Sequence, residues 1–210
     1  MAGTGKVRET FFNKVTKYKK SCFPPSEKWD SRLSKIACAD LQPVIKVHQN
    51  DWFEVYNRGG YFTVEYPYSQ VIILPVVEEK SILLVRATRP VINDFSLELP
   101  AGCGEKEEKP VVAAARELKE ETGISICDFA RFIPMPPLAV SPNRVPKLIY
   151  VFRVDLRQQE YEERLPHDHE IESLECVSFE KVARMISTGE IYVTVPIAVI
   201  GTYLLSKKLN

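Results

Sequence analysis

Glu117, Glu120 and Glu121 crowd into the stretch "ELPAGCGEKEEKPVVAAARELKEETGIS", residues 98–125, with Glu105, Glu107 and Glu108 just ahead of them. Like charges three and four residues apart on a helix repel, at a cost of a few tenths of a kcal/mol per pair. At about 100° of turn per residue, Val111, Ala114, Ala115 and Leu118 form one stripe that must face a core. Relative to Leu118, Glu121 falls near about −60°, Glu117 near about −100° and Glu120 near about −160°. The three carboxylates therefore fan out beside the buried stripe, and Arg116 has the i,i+4 spacing to pair with Glu120. Carboxylates at the edge of a buried face are costly unless a cation collects them. Hard divalent ions such as Mg²⁺ take oxygen ligands and leave positions for water and substrate phosphates. From the helix alone, two readings stand: a metal site, or a solvated acidic face.

The elements that must position these groups are legible around them. The helix spans 109–122 and is ended by Gly123. It follows a short strand at "SLELP" and a Gly-rich turn over 101–104. From residue 43 the hydrophobic period is two: "VIKVHQ", "WFEVYN" and "YFTVEY" read as strands, with "NRGG" at 57–60 as a hairpin turn. "QVIILPVVEE" and "SILLVRATR" form a second pair that turns around Glu78–Ser81. Downstream, strands near 126–134 and 147–155 flank the proline-rich turn "MPPLAVSPNRVP". An acidic loop over 156–170, a strand near 171–178 and helices near 179–188 and 195–207 follow, with Thr194 capping the last helix and Pro196 tolerated in its first turn. This order argues for a mixed sheet with helices on its faces, not a regular βαβ series. Near the front, Val7, Phe11, Val15 and Tyr18 recur at helical spacing among Lys14, Lys17, Lys19 and Lys20. That pattern is an amphipathic helix, packed on the domain, lying on a membrane surface or serving as a targeting segment, the last disfavoured by Glu9, and Pro24 and Pro25 end it. The expectation is an α+β chain with a basic, helical N-terminal extension over 1–40 and one folded domain over 41–210.

Composition narrows the function classes. The chain has 210 residues, 45% of them apolar and 27% charged, with Lys plus Arg equal to Asp plus Glu at 28 each. A balanced charge gives no field that argues for nucleic acid. Residues 1–20 hold six basic and one acidic side chain, whereas 155–175 hold eight acidic and two basic. Five scattered cysteines without a CxxC pair indicate neither a zinc knuckle nor a disulfide framework. No apolar run reaches the roughly 18–20 residues of a membrane span, and no secretory h-region is present. A reducing, cytoplasmic setting is expected.

The acidic stretch resembles the Nudix hydrolase family, whose box reads G-x5-E-x7-R-E-U-x-E-E-x-G-U with U a bulky aliphatic residue. Gly102, Glu108, Arg116, Glu117, Leu118, Glu120, Glu121, Gly123 and Ile124 fill every specified position without a gap. The resemblance implies an α/β/α sandwich with a mixed sheet. It further implies a divalent metal, Mg²⁺ with Mn²⁺ as the alternative, held by Glu117, Glu120 and Glu121 with help from the carbonyl of Ala101. Arg116 would orient a glutamate, Gly102 would give the loop its tight turn, and Glu108 would support the start of the helix.

"ELPAG", "RATRP", "SPN" and a glutamate-bearing loop before the last strand look like the ADP-ribose pyrophosphatase branch. That branch implies hydrolysis of ADP-ribose to AMP and ribose 5-phosphate, with Arg89 on the diphosphate. A carboxylate of "LPHDHEIES" would act as general base, Glu170 the first candidate and Asp168 the second. A metal role for His167 and His169 is the weaker use of that loop. The chain departs from the branch at 141–147, where "SPNRVPK" carries Asn143 in place of a glycine and no acidic group before Lys147. Another sugar nucleotide of the GDP-hexose type, or a non-catalytic nucleotide-binding module, are the alternatives. Arg144 and Lys147 could attract a further phosphate. Among Trp52, Phe53, Tyr56 and Tyr61, most are expected to pack and one, Trp52, to stack on a base. The resemblance also implies a symmetric homodimer in which the N-terminal strands reach a second subunit.

Overall fold

The computed structural model describes residues 31–33 and 38–209. The helix expected over 5–20, with most of the 1–40 extension, lies outside the described residues. From there the chain runs β1 (Val44–Gln49), β2 (Glu54–Arg58), β3 (Tyr61–Glu65), β4 (Gln70–Val77), β5 (Ser81–Arg89), β6 (Asp94–Glu98), β7 (Ala101–Cys103), α1 (Pro110–Thr122), β8 (Phe132–Leu138), β9 (Ile149–Leu156), α2 (Gln158–Glu162), β10 (Ile171–Ser178), α3 (Phe179–Thr188) and α4 (Thr194–Leu209).

Two sheets result. β1, β2 and β3 form a three-stranded antiparallel meander whose second turn uses Gly59 and Gly60 at positive φ. The larger sheet has the order β10-β5-β4-β9-β8, with β4 and β9 parallel and the remaining pairs antiparallel. β4 and β5 pair only beside their turn, at Val76↔Ile82 and Val77↔Ser81. Beyond it they diverge: β6 pairs with β5, β7 pairs with β4, and the Ile73 N–H donates to the Pro100 carbonyl at 2.8 Å. The segment 94–103 is thereby drawn into the middle of the sheet.

β4 is buried on both faces, as a central strand of a covered sheet must be. Ile72, Leu74 and Val76 pack with Val182 and Met185 of α3 and Val199, Ile200 and Tyr203 of α4. Val71, Ile73 and Val77 pack with Val111, Ala113, Ala114 and Leu118 of α1. The architecture is the expected α/β/α sandwich with a mixed sheet.

Two stretches differ from the sequence expectation: residues 101–103, expected within a Gly-rich turn, form β7 because they pair with β4, and the strand expected near 126–134 is displaced. The segment 129–131 is a single 3-10 turn, and β8 continues through Pro134, Pro136 and Pro137 to Leu138. β8 lies at the sheet edge, where a missing N–H costs no ladder bond, and its register shifts between Met135 and Leu138. The acidic loop also contains the short helix α2, whose first turn is held by the Arg157 N–H donating to Glu160 at 2.9 Å. Among the described residues no helix is long and apolar enough to cross a membrane.

Candidate active site

α1 begins at Pro110, which suits a first helical position, and ends at Gly123 with φ +73°. The buried stripe is wider than its periodicity suggests. Ala113 and Glu117 are buried, while Ala115 is only half-buried. The reason lies in β7 itself, whose middle residue is Gly102. A Cβ at Gly102 would stand 2.2 Å from Cδ of Glu117, so the backbone of Gly102 lies directly over that carboxylate. Gly102 is not among the positive-φ glycines. Its glycine serves this close approach and not the tight turn expected of it.

Arg116 organises the cluster. Its Nε and Nη2 donate to Glu108 at 3.2 and 3.1 Å, and Nη1 donates to Glu117 Oε1 at 2.8 Å and Glu120 Oε2 at 2.9 Å. Nη2 also reaches the Cys103 carbonyl at 2.8 Å. The expected pairing with Glu120 is therefore one part of a fork that ties the box loop to the helix. Glu108 braces Arg116 and takes the Glu105 N–H at 2.9 Å, with no contact that caps α1. Burial works against the Arg116 charge, but the Glu108 hydrogen bond and the surrounding glutamates outweigh it and raise its pKa.

One guanidinium cannot balance so many carboxylates. Glu121 lies further along, its Oε2 accepting the Ala101 N–H at 3.1 Å. Burial pushes Glu117 up to about 7 and Glu121 up to about 8, with Arg116 only partly opposing the first and the Ala101 N–H the second. Both groups need a partner of opposite charge to stay ionised. Among the described residues no three His, Cys, Asp or Glu side chains form a ready cage for a metal ion, and Arg116 holds Glu117 and Glu120. Yet Glu117 Oε2, Glu120 Oε1 and Glu121 Oε1 make no hydrogen bond among the described residues. A donor set of hard oxygens with excess negative charge fits a divalent cation such as Mg²⁺.

Arg89 ends β5 beside this cluster. Its Nε donates to Glu98 Oε1 at 2.6 Å and Nη2 to Oε2 at 3.0 Å, while Ser96 Oγ donates to Glu98 Oε1 at 2.5 Å. The Glu98 hydrogen bond, then the charges of Glu121 and Glu170, hold the Arg89 guanidinium above its usual pKa. The sequence reading did not single out Glu98. Its signal is the alternation of Asp94, Ser96 and Glu98 with Phe95 and Leu97, with Ser96 and Glu98 in register with Ala87 and Val85 of β5.

The loop before β10 is drawn onto the same end of α1. The Leu165 N–H donates to the Gly123 carbonyl at 3.1 Å and the Asp168 N–H to the Glu120 carbonyl at 2.7 Å. Glu170 is exposed at the end of this loop. The Asp168 carboxylate instead meets the backbone N–H and ring Nδ1 of His169, and His167 Nδ1 donates to the Asp168 carbonyl at 2.9 Å. Trp52 is 73% exposed in the β1–β2 turn, its N–H on Asn50 Oδ1 at 2.9 Å. Arg144 is exposed too, with its carbonyl accepting the Val64 N–H of β3 at 2.7 Å. Among the described residues no hydrogen bond or ion pair joins either of them to the carboxylate cluster. A cavity of about 310 Å³ opens at the other end of the box loop, between Glu105, Glu107, Glu108, Tyr68, Lys147 and Tyr150.

The fold and this site together define a class: an α/β/α sandwich in which a helix and its preceding loop gather buried Glu117, partly buried Glu108 and exposed Glu120 around one arginine. The NUDIX domain family model matches residues 67–193, more than half of the chain. The chain belongs to the Nudix family. It is 30% identical to the ADP-ribose pyrophosphatase of Bacillus subtilis (strain 168) over 123 residues, 58% of this chain and 64% of that protein. It is 40% identical to phosphatase NudJ of Shigella boydii serotype 4 (strain Sb227) over 85 residues, 40% of this chain and 53% of that protein. The chain thus spans less than two thirds of the length of either relative. A crystal structure of an ADP compounds hydrolase shares the fold, with a TM-score of 0.59 at 17% identity, covering 80% of this chain and 91% of that one.

Proposed function

We propose that this chain is a divalent-cation-dependent hydrolase that cleaves the diphosphate bond of a nucleoside diphosphate sugar. ADP-ribose, yielding AMP and ribose 5-phosphate, is the leading substrate. The observation that carries this reading is the surplus of carboxylate around Arg116, with the cationic Arg89 beside it. A basic side chain and a cation-demanding helix side by side suit a diphosphate, whose charge both would neutralise.

Glu117, Glu120 and Glu121, with the Ala101 carbonyl, would hold Mg²⁺ or, alternatively, Mn²⁺. When bound, the cation supplies charge neutralisation at the phosphates and polarises phosphorus. Arg116 keeps Glu117 and Glu120 aimed at one place. Arg89, half-exposed on its outer side, orients the diphosphate while Glu98 fixes its fork. Glu170 takes the proton of the attacking water, and that proton must leave the water as the new bond to phosphorus forms. Trp52 and Arg144 sit on or against the small sheet, so a symmetric homodimer would bring them to the substrate from a second subunit. Exposed Ile45, Val47, Tyr61 and Phe62 on that sheet support such an association. The similarity to the Bacillus subtilis ADP-ribose pyrophosphatase supports ADP-ribose as substrate.

A second sugar nucleotide is favoured by one observation. The 141–147 segment itself carries no acidic residue, where the branch it resembles has one, and its Lys147 donates to the Tyr66 carbonyl at 2.8 Å. A panel of ADP-ribose, NADH, GDP-mannose, UDP-glucose and a dinucleoside polyphosphate, each with Mg²⁺ and with EDTA, separates the readings. AMP released chiefly from ADP-ribose, and only with metal, is the expected result. Turnover on another member keeps the chemistry and replaces the substrate. Thermal stabilisation by one compound without turnover of any would make the chain a binding module.

A further inference from the structure

We propose that residues 165–168 form a strap across the C-terminal end of α1 that positions Glu170, and that Gly123 is its seat. The inference rests on the reading of Glu170 as the group that activates water.

A glycine that merely ends a helix needs only its left-handed φ, and asparagine also tolerates that conformation. Gly123 meets this need, with φ +73° and its N–H donating to the Lys119 carbonyl at 2.9 Å. It meets a second one as well. A Cβ here would lie 1.7 Å from the carbonyl oxygen of Leu165 and 2.6 Å from its carbonyl carbon. Those are backbone atoms, so no side-chain rotation relieves the clash. The strap can only pass this close because residue 123 has no side chain.

Two hydrogen bonds fasten it. The carbonyls of Glu120 and Gly123 lie at the end of α1, where acceptors lack intrahelical donors, and they take the Asp168 and Leu165 N–H groups at 2.7 and 3.1 Å. Glu120 is therefore engaged at both ends. Its side chain receives Arg116 at 2.9 Å while its carbonyl anchors the strap. Two residues beyond Asp168 comes Glu170, and at Ile171 the chain enters β10, paired with Ala87 of β5, the strand that ends in Arg89. Glu170 is thus held between an anchor on the carboxylate helix and an anchor on the arginine strand. Asp168, with its carboxylate turned to His169, acts through its backbone N–H. It is assigned as a positioning residue, which leaves the general-base role in this loop to Glu170.

The test compares Gly123→Asn, Asp168→Pro and Glu170→Gln by steady-state kinetics on ADP-ribose with Mg²⁺, by Mn²⁺ binding in electron paramagnetic resonance, and by thermal melting. Gly123→Asn keeps a cap-compatible residue but lifts the strap, and Asp168→Pro removes one strap donor and leaves α1 untouched. Both should lower kcat, by about 100-fold for a misplacement of this kind, with KM held within about threefold and Mn²⁺ affinity at the wild-type value. In the Glu170→Gln background neither should lower kcat further. If Gly123→Asn does not fold, Asp168→Pro decides alone. Wild-type kcat in the strap variants, with Glu170→Gln inactive, overturns the strap and leaves the Glu170 reading standing. Full additivity in the Glu170→Gln background also overturns it. Full turnover by Glu170→Gln itself removes the underlying reading.

Discussion

Two arginines of this molecule are sunk among glutamates, and they differ in what surrounds them. In the small sheet Arg58 meets Glu65 at 2.6 and 3.1 Å, Thr63 Oγ adds a 2.9 Å bond to the same carboxylate, and the Tyr56 ring lies 5.1 Å from the guanidinium carbon. The side chains of this pair are 11% and 9% exposed, and one charge answers one charge. In the box the Arg116 side chain is 19% exposed, but it answers Glu108, Glu117 and Glu120, with Glu121 near by. Depth and bonding geometry are alike. What separates a structural pair from a candidate reaction site is the charge left over.

The most damaging test of that distinction is removal of a surplus carboxylate. Glu120→Gln should lower kcat by about 1000-fold, on the scale of losing a group that stabilises transition-state charge, with the fold intact by circular dichroism. Its sharper companion is Glu121→Gln. Glutamine can still accept the Ala101 N–H, yet it carries no charge to desolvate. In EDTA this variant should melt higher than wild type, by about 1 kcal/mol in stability, while the Mg²⁺-induced rise in Tm shrinks. A lower Tm in EDTA would mean that the cluster is balanced after all.

The balanced pair should behave in the opposite way. Arg58→Met strands the Glu65 carboxylate in a buried site and should cost about 3–5 kcal/mol of stability. It should leave kcat of the folded fraction within about twofold. Pairing it with Glu65→Leu should recover most of the loss, because a well-packed apolar pair often matches a buried ion pair. Urea titration of both variants checks this. If Arg58→Met removes turnover without moving the urea midpoint, the pair belongs to the reaction and the comparison collapses.

Gly102→Ala is expected to have a smaller effect. The new methyl group meets the far end of the flexible Glu117 side chain at 2.2 Å, so the carboxylate can swing away and the fold survives. What it loses is its aim. A drop in kcat of about 100-fold, with Tm within a few degrees of wild type, would show that the glycine serves the carboxylate. An unfolded variant would return it to the role of a turn residue.

These contrasts also mark what the sequence could tell. The nine placed residues of the box were legible through their resemblance to a family motif, and the Arg116–Glu120 pairing because helical geometry fixes neighbours within a few positions. The α/β/α layering was legible from apolar periods of two and 3.6. The Arg89–Glu98 fork was not, since it depends on how β5 and β6 register across a hairpin. Nor was the contact of Gly123 with Leu165, which joins parts of the chain far apart in sequence. A glycine in a motif announces that something needs room or a left-handed turn. Only the fold shows which, and at Gly102 the answer was room. β8 ran through three prolines because its place at the sheet edge, invisible in one-dimensional pattern, removed the penalty.

A third ion cluster supplies the mildest test. Arg131 donates to Glu160 at 2.6 and 2.9 Å, and Arg157 donates to the same carboxylate at 3.1 Å. Here cations outnumber the carboxylate, the reverse of the box. The Arg131 hydrogen bonds, despite some burial, hold the Glu160 carboxyl down to about 2, against 4.5 in an unfolded chain. A carboxyl titrating lower when folded binds fewer protons than its unfolded counterpart, so folding gains stability as pH rises through that interval. The contribution is complete above about 4.5 and vanishes as pH falls toward about 2. Because Arg131 and Arg157 keep contact with solvent, it should amount to ~1–2 kcal/mol. Glu160→Gln should therefore lower stability by that amount at pH 7, and the gap from wild type should close as the medium is acidified toward pH 2. A gap that stays constant with pH would show that packing, not charge, is what Glu160 provides.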